Sequence, residues 1–210
     1  MARPVVIRDA QILEAARAVF LEQGARATTA EVARRAGVAE GSVFKRFGTK
    51  DNLFAKAMLG PTGAPPWLAT LHAQSERGDP RATLEEVGIE AIGFFQTMLP
   101  VLMMAWSNPS PSGLPSILAS DDPPPVIALR ALTRFFAAEE RAGRIRRCDP
   151  HVAARTYLGG LVQYVFLDIV IGRGKSEPPS PEKHVRGLVD LLFEGLAPRA
   201  KSHRPRRPRE

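Results

Sequence analysis

The stretch from Thr28 to Phe47, TTAEVARRAGVAEGSVFKRF, constrains the fold more tightly than any other part of the chain. Thr28 followed by Glu31 is a capping-box spacing. The threonine hydroxyl can accept an orphan backbone N–H of the first helical turn, and the glutamate can reach back to the cap. A short helix follows, with Val32, Ala33 and Ala36 inward and Arg34 and Arg35 outward. Gly37 falls where a left-handed C-terminal cap is needed. Only Val38 and Ala39 separate it from a second short helix, predicted from Glu40 to about Arg46. Two short helices joined by a glycine turn make a helix-turn-helix, a motif whose second helix can enter the major groove of DNA.

The second helix turns Val43 and Phe47 to the core and presents Glu40, Gly41, Ser42, Lys45 and Arg46 outward. Small polar and basic groups on that face suit base-edge and phosphate contact. An ordinary helical hairpin with a solvated charged face fits the same spacing, so the flanks must decide.

The flanks are specific. ILEAARAVFLEQG (Ile12–Gly24), TTAEVARRAGV (Thr28–Val38), GSVFKRF (Gly41–Phe47) and TKDNLF (Thr49–Phe54) together resemble the DNA-binding domain of the tetracycline-repressor (TetR/AcrR) family. The resemblance covers about Arg8 to Met58. The chain departs from the family pattern at Ser42, Val43, Phe44 and Arg46, and Glu40 adds a negative charge near the DNA. The resemblance implies that Thr29 and Ala30 lie near the DNA backbone. It also implies that Glu40, Gly41, Ser42, Lys45 and Arg46 face the groove or its phosphates, and that Lys50 meets a phosphate. Phe44 stands where the family carries a tyrosine whose hydroxyl bonds a phosphate, so that bond is lost.

Charge is distributed to match. Residues 1–60 carry ten Lys/Arg against six Asp/Glu, a net +4, and residues 198–210 carry six against one, a net +5. The segment between them is slightly acidic, with thirteen against fifteen. A basic head suits a polyanion, because phosphate contact is the main sequence-independent source of DNA affinity. Cys148 is the only cysteine, which excludes an intrachain disulfide and argues against a thiolate metal site. The start of the chain does not read as a signal peptide, and a cytoplasmic location is expected.

In chain order, Ala2 to Arg8 reads as an arm whose Arg3 and Arg8 can meet DNA or remain disordered. A first amphipathic helix runs from about Asp9 to Gln23, with Ile12, Leu13, Ala16, Val19 and Phe20 inward. Thr49 caps a fourth helix with Leu53, Phe54, Ala57 and Met58 inward. GPTGAPP (Gly60–Pro66) breaks the composition, and the domain boundary is placed there: 1–58 a DNA-binding head, 59–197 a ligand-binding and dimerisation body, 198–210 a disordered basic tail. In the body, helices are expected over Trp67–Arg77 and Arg81–Leu99, the latter ended or kinked by Pro100 and followed by a short continuation to Trp106. A proline-rich loop, Ser107–Pro125, leads to helices over Val126–Ala142, Pro150–Gly172 and Pro181–Leu196. The run from Thr156 to Ile171 is too short and too interrupted for a membrane span. It reads instead as a helix buried on two faces, with Gly159 and Gly160 allowing a neighbour close.

No catalytic constellation emerges. His72, His151, His184 and His203 are scattered, no Gly-rich phosphate loop follows a strand, and no cofactor is implied. Cys148 lies beside Arg146 and Arg147, whose charge can lower its pKa and make a thiol sensor conceivable, although one cysteine in a basic loop is more often incidental. The fold class expected is all-α: a three-helix head, a linking fourth helix and a larger helical body. The resemblance implies a homodimer joined through the last two helices, binding a double-stranded operator and released by a small-molecule effector, and the sequence supports an apolar pocket for it. Candidate pocket residues are Phe94, Phe95, Met98, Met103, Met104 and Trp106, closed by Phe135 and Tyr157, with Gln163 or Asp168 either polar anchors within the cavity or part of the dimer interface. A binding protein whose head no longer reads DNA is the alternative that Glu40 and Phe44 favour.

Overall fold

The computed structural model describes residues 9–59, 63–107, 118, 121–172 and 177–195, and every regular element among them is helical. α1 (Asp9–Gln23), a 3-10 turn (Gly24–Arg26), α2 (Thr29–Ala36), α3 (Glu40–Phe47) and α4 (Lys50–Leu59) come first. α5 (Leu68–Gln74), α6 (Pro80–Ser107), α7 (Pro124–Arg141), α8 (Pro150–Ile171) and α9 (Pro181–Glu194) follow. The arm at 2–8, most of the proline-rich loop and the basic tail lie outside the described residues.

Two hydrophobic cores organise these helices. In the first, Ile12, Ala16, Val19 and Phe20 of α1 are fully buried against Val32 and Ala33 of α2, Val43 and Phe47 of α3, and Leu53 and Phe54 of α4. Phe20 and Phe54 meet edge to face, their centroids 4.9 Å apart, the geometry that ring quadrupoles favour. The inward stripes expected from helical periodicity are the ones observed, except that Leu13 and Ala36 are only half-buried. The second core gathers Trp67, Leu68 and Leu71, then Leu84, Val87, Ala91 and Ile92 of α6, with apolar faces of α7, α8 and α9.

Local signals set the boundaries. Thr28 accepts the Glu31 N–H at 3.2 Å, and Gly37 closes α2 in the left-handed region at φ 68°. The reciprocal half of the capping box is absent. Glu31 turns outward to hold Arg34 at 2.6 Å, a pairing one helical turn away that competes with the reach back to Thr28. Thr49 accepts the Asn52 N–H, and Asp149 accepts the N–H groups of His151 and Val152 ahead of a helix begun by Pro150.

The structure corrects several expected boundaries in the body. The fifth helix is short, because the backbone leaves helical geometry and Glu76 takes φ 64°. α6 does not stop at Pro100 but runs unbroken for 28 residues. The N–H that Pro100 lacks would have met the carbonyl of Gln96, so the proline costs one helical hydrogen bond, and the helix continues past it. The seventh helix begins at Pro124, using a proline pair as its first turn, and the ninth ends at Glu194 before Gly195.

Two glycines mark where body helices touch. A Cβ added to Gly160 would lie 2.8 Å from Leu188 Cδ2, so the close approach expected there is made by α9 of the same chain. Gly159 has open space. A Cβ at Gly88 would lie 2.6 Å from Val185 Cγ1 and 2.9 Å from the Tyr157 hydroxyl oxygen, in a fully buried setting. Tyr157 cannot easily give way, because its hydroxyl donates to the Leu84 carbonyl. Gly88→Ala is therefore expected to destabilise the fold by about 1–3 kcal/mol through overpacking. Gly93→Ala, with nothing within 4 Å, should be neutral or stabilising by up to about 1 kcal/mol from helix propensity. Urea unfolding of the two variants beside the parent checks both.

Candidate nucleic-acid interface and effector cavity

α2 and α3 pack at a fixed angle because Val32, Ala33, Val43 and Phe47 share the first core. Burying those four side chains leaves the opposite face of α3 in solvent. Glu40, Gly41, Phe44, Lys45 and Arg46 are exposed, with Ser42 half-buried beside them. Ala30 is exposed and Thr29 half-buried at the start of α2, and Lys50 is half-buried at the start of α4. The structure joins two of the sequence-predicted residues directly, Thr29 of α2 and Glu40 of α3, and leaves the others on the exposed face of α3 and at the starts of α2 and α4.

Their partners were not legible in the sequence. The Thr29 hydroxyl donates to Glu40 Oε1 at 2.6 Å, tying the first residue of α2 to the first residue of α3. Arg46 Nη1 pairs with Asp9 Oδ1 at 2.6 Å, so this cation braces α3 against the start of α1. Arg35 makes two 2.7 Å bonds to Glu22, and Arg34 two bonds to Glu31. Hydrogen bonding to Arg35 holds the Glu22 carboxyl below the usual carboxylate range, and Arg34 does the same for Glu31. Lys45 has no partner among the described residues, and Phe44 keeps 47% of its surface in solvent. α3 therefore presents an unpaired ammonium and an aromatic ring to whatever it meets.

The body contains a cavity of about 250 Å³ whose twelve lining residues are all apolar. Phe94, Phe95, Met98, Leu99 and Leu102 of α6 form one wall, Pro124, Pro125 and Ala128 of α7 another, and Leu158 and Val162 of α8 a third, with Pro65 and Leu118 at the edges. Phe94, Phe95 and Met98 sit where the sequence placed them. Phe135 and Tyr157 do not: both are core residues, Phe135 packed edge to face on Phe136 and Tyr157 anchored to Leu84. Helical periodicity put them on buried faces, but those faces are filled by neighbouring helices. Met103 is 37% exposed and lies off the cavity, whereas the side chains of Met104 and Trp106 fall outside the described residues. Gln163 is exposed and neither it nor Asp168 reaches the cavity lining. The proline pair and Ala128 at the start of α7 were the missed signal, since a helix beginning in prolines leaves its first turn short of bulky side chains.

Cys148 also departs from expectation. Partial burial raises its pKa, and Glu140 and Asp149 add to the rise against the opposing pull of Arg146. No group of three or more potential metal ligands occurs among the described residues, and no helix among them is long and apolar enough to cross a membrane.

Two family models match the chain. Residues 12–57 match the model for bacterial regulatory proteins of the tetR family, and residues 124–194 match the C-terminal domain of AefR-like transcriptional repressors. Solved structures share the fold. A TetR-family transcriptional regulator from Mesorhizobium loti superposes with a TM-score of 0.64 at 21% identity, over 88% of this chain and 94% of that one. FadR from Bacillus subtilis, in complex with stearoyl-CoA, gives 0.60 at 16% identity, over 90% and 100%. The TetR regulator SCO0520 from Streptomyces coelicolor gives 0.59 at 23% identity, over 92% and 100%. With the head and the last three helices each matched by a family model, on a fold shared over 88% of the chain, the chain belongs to the TetR/AcrR family of DNA-binding transcriptional regulators.

Proposed function

We propose that the protein is a homodimeric repressor that leaves a near-palindromic operator when a small apolar molecule enters the α6–α7–α8 cavity. The observation that carries this reading is the double role of two side chains. Phe94 and Met98 line the cavity, and both also pack against the head core, where Met98 is 94% buried. A ligand that displaces them alters the seat of the head directly. In this reading residues 1–58 are the DNA-reading head, 59–197 the body and 198–210 a basic tail.

Support for the dimer comes from an unfilled stripe. Val152, Phe166 and Val170 on α8 and Leu191 on α9 are exposed apolar side chains, between 42% and 59% accessible. Pairing that stripe with its copy would build a four-helix interface and set two recognition helices about one duplex turn apart, roughly 34 Å. The lining, apolar throughout among the described residues, favours an effector recognised by shape and burial. The stearoyl-CoA held by the Bacillus subtilis FadR makes an acyl chain the first candidate. A hundredfold loss of operator affinity requires the effector to favour the DNA-incompetent state by about 2.7 kcal/mol.

Lys45→Ala is expected to weaken operator binding by about 1–3 kcal/mol and relax one base preference if Lys45 reads guanine. If it meets only phosphate, the slope of log affinity against log salt should fall by about one unit with sequence preference intact. Mobility shifts at two salt concentrations, using DNA flanking the protein's own coding region, separate the two. A chain that shifts no fragment over bulk competitor would instead be a binding protein with an idle head. Val162→Phe should fill part of the cavity, keep DNA affinity, and weaken acyl-chain binding on the order of tenfold, as read by titration with stearoyl-CoA and a free fatty acid. Phe166→Glu is expected to shift the dimer to monomer in analytical ultracentrifugation while leaving helical content unchanged.

A further inference from the structure

We propose that Glu40 is a specificity-determining residue that selects cytosine at one position of each half-site, held in register by Thr29. The inference rests on the DNA-reading function above and says what one residue of that face reads. Glu40 opens α3, and its exposed side chain is fixed by the 2.6 Å bond it accepts from the Thr29 hydroxyl. That bond occupies one acceptor site of a carboxylate that has about four, so the group retains acceptors for a second partner.

The choice of partner follows from sign. A carboxylate offers no hydrogen to a phosphate and is repelled by it, so Glu40 cannot serve as a backbone contact. In the major groove, guanine shows N7 and O6, both acceptors, and thymine shows O4 and a methyl group. Each meets a carboxylate with a lone pair or an apolar surface. Adenine offers an N6 amine, but N7 beside it faces the acid with another lone pair. Cytosine presents its N4 amine with no acceptor next to it, which leaves it as the base that a carboxylate at the start of a recognition helix favours. The negative charge thus costs general affinity and returns it only where a cytosine amine lies opposite.

Thr29 makes this a positioned contact. Its one hydroxyl hydrogen is engaged by Glu40, so Thr29 fixes the acid in place rather than donating to a phosphate. The hydrogen bond spans eleven residues of sequence and crosses from one helix of the motif to the other.

The test is selection from a randomised duplex library with the full chain, followed by binding measurements on the winning site and on its single-base variants. The parent should enrich a site with one cytosine per half-site whose replacement costs roughly fivefold or more in affinity. Glu40→Ala should lose that preference and bind the variants nearly equally, with higher affinity for bulk DNA. Glu40→Gln should move the preference to adenine, because a carboxamide can both accept from N6 and donate to N7. Thr29→Val should flatten the same position and no other. Circular dichroism of each variant verifies folding, and the Glu40→Gln switch is a gain that a misfolded head cannot produce. If Glu40→Ala keeps every base preference of the parent and only raises affinity uniformly, Glu40 is an electrostatic brake and the proposal is overturned. If the parent enriches no sequence at all, the DNA-reading function fails first and takes this proposal with it.

Discussion

Phe94 and Met98 lie where the two hydrophobic cores meet, and the arrangement of the molecule depends on that junction. Met98 is buried in the core of the head although it belongs to a body helix, and Phe94 packs against both cores. The head is therefore seated on side chains it does not own. Apolar contacts of this kind are non-directional, and they permit small shifts that a hydrogen-bonded joint would resist.

The other end of the body is held differently. Glu139 is buried to 1% exposure and accepts both the Glu76 backbone N–H and the Arg144 guanidinium. One carboxylate thereby pins the α5–α6 turn and the start of the α7–α8 connection. Nearby, Tyr157 donates to the Leu84 carbonyl, and Gly88 admits Val185 at a distance no side chain would allow. The first half of α6 is fixed by directional bonds and close contacts, whereas in its second half Phe94 and Met98 meet both the cavity and the head through apolar contact.

Much of this was legible in the sequence, and what was not has physical reasons. Capping at Thr28, Gly37, Thr49 and Asp149 follows from local chemistry, as do the inward faces of α1 to α4, because cap and stripe depend on residues within a turn or two. The exposed face of α3 could be read because the inward placement of Val43 and Phe47 fixes what lies opposite. Contacts across the chain could not be read. Thr29 with Glu40, and Asp9 with Arg46, depend on how helices cross, which periodicity does not encode. The cavity was half-legible for the same reason. Helical spacing puts Phe95 and Phe135 alike on buried faces, and only the packing of a third helix decides which one borders space. Of the two outcomes expected at Pro100 the helix does not end there, because the flanking turns keep their own hydrogen bonds and one missing N–H does not stop it.

Ion pairing on the head sharpens what its net charge can do. Arg34, Arg35 and Arg46 are each held by a carboxylate of the same head, so in the absence of DNA much of the basic surface is internally neutralised. Exposed pairs of this kind are worth at most about 1 kcal/mol, and salt screens them further. A phosphate can outcompete Asp9 for Arg46 at little cost, but the displaced carboxylate stays nearby and subtracts from the gain. Affinity for arbitrary duplex should thus fall short of what the charge count suggests. The same carboxylates that suppress it do not weaken contacts to base edges, which is where discrimination between sequences arises.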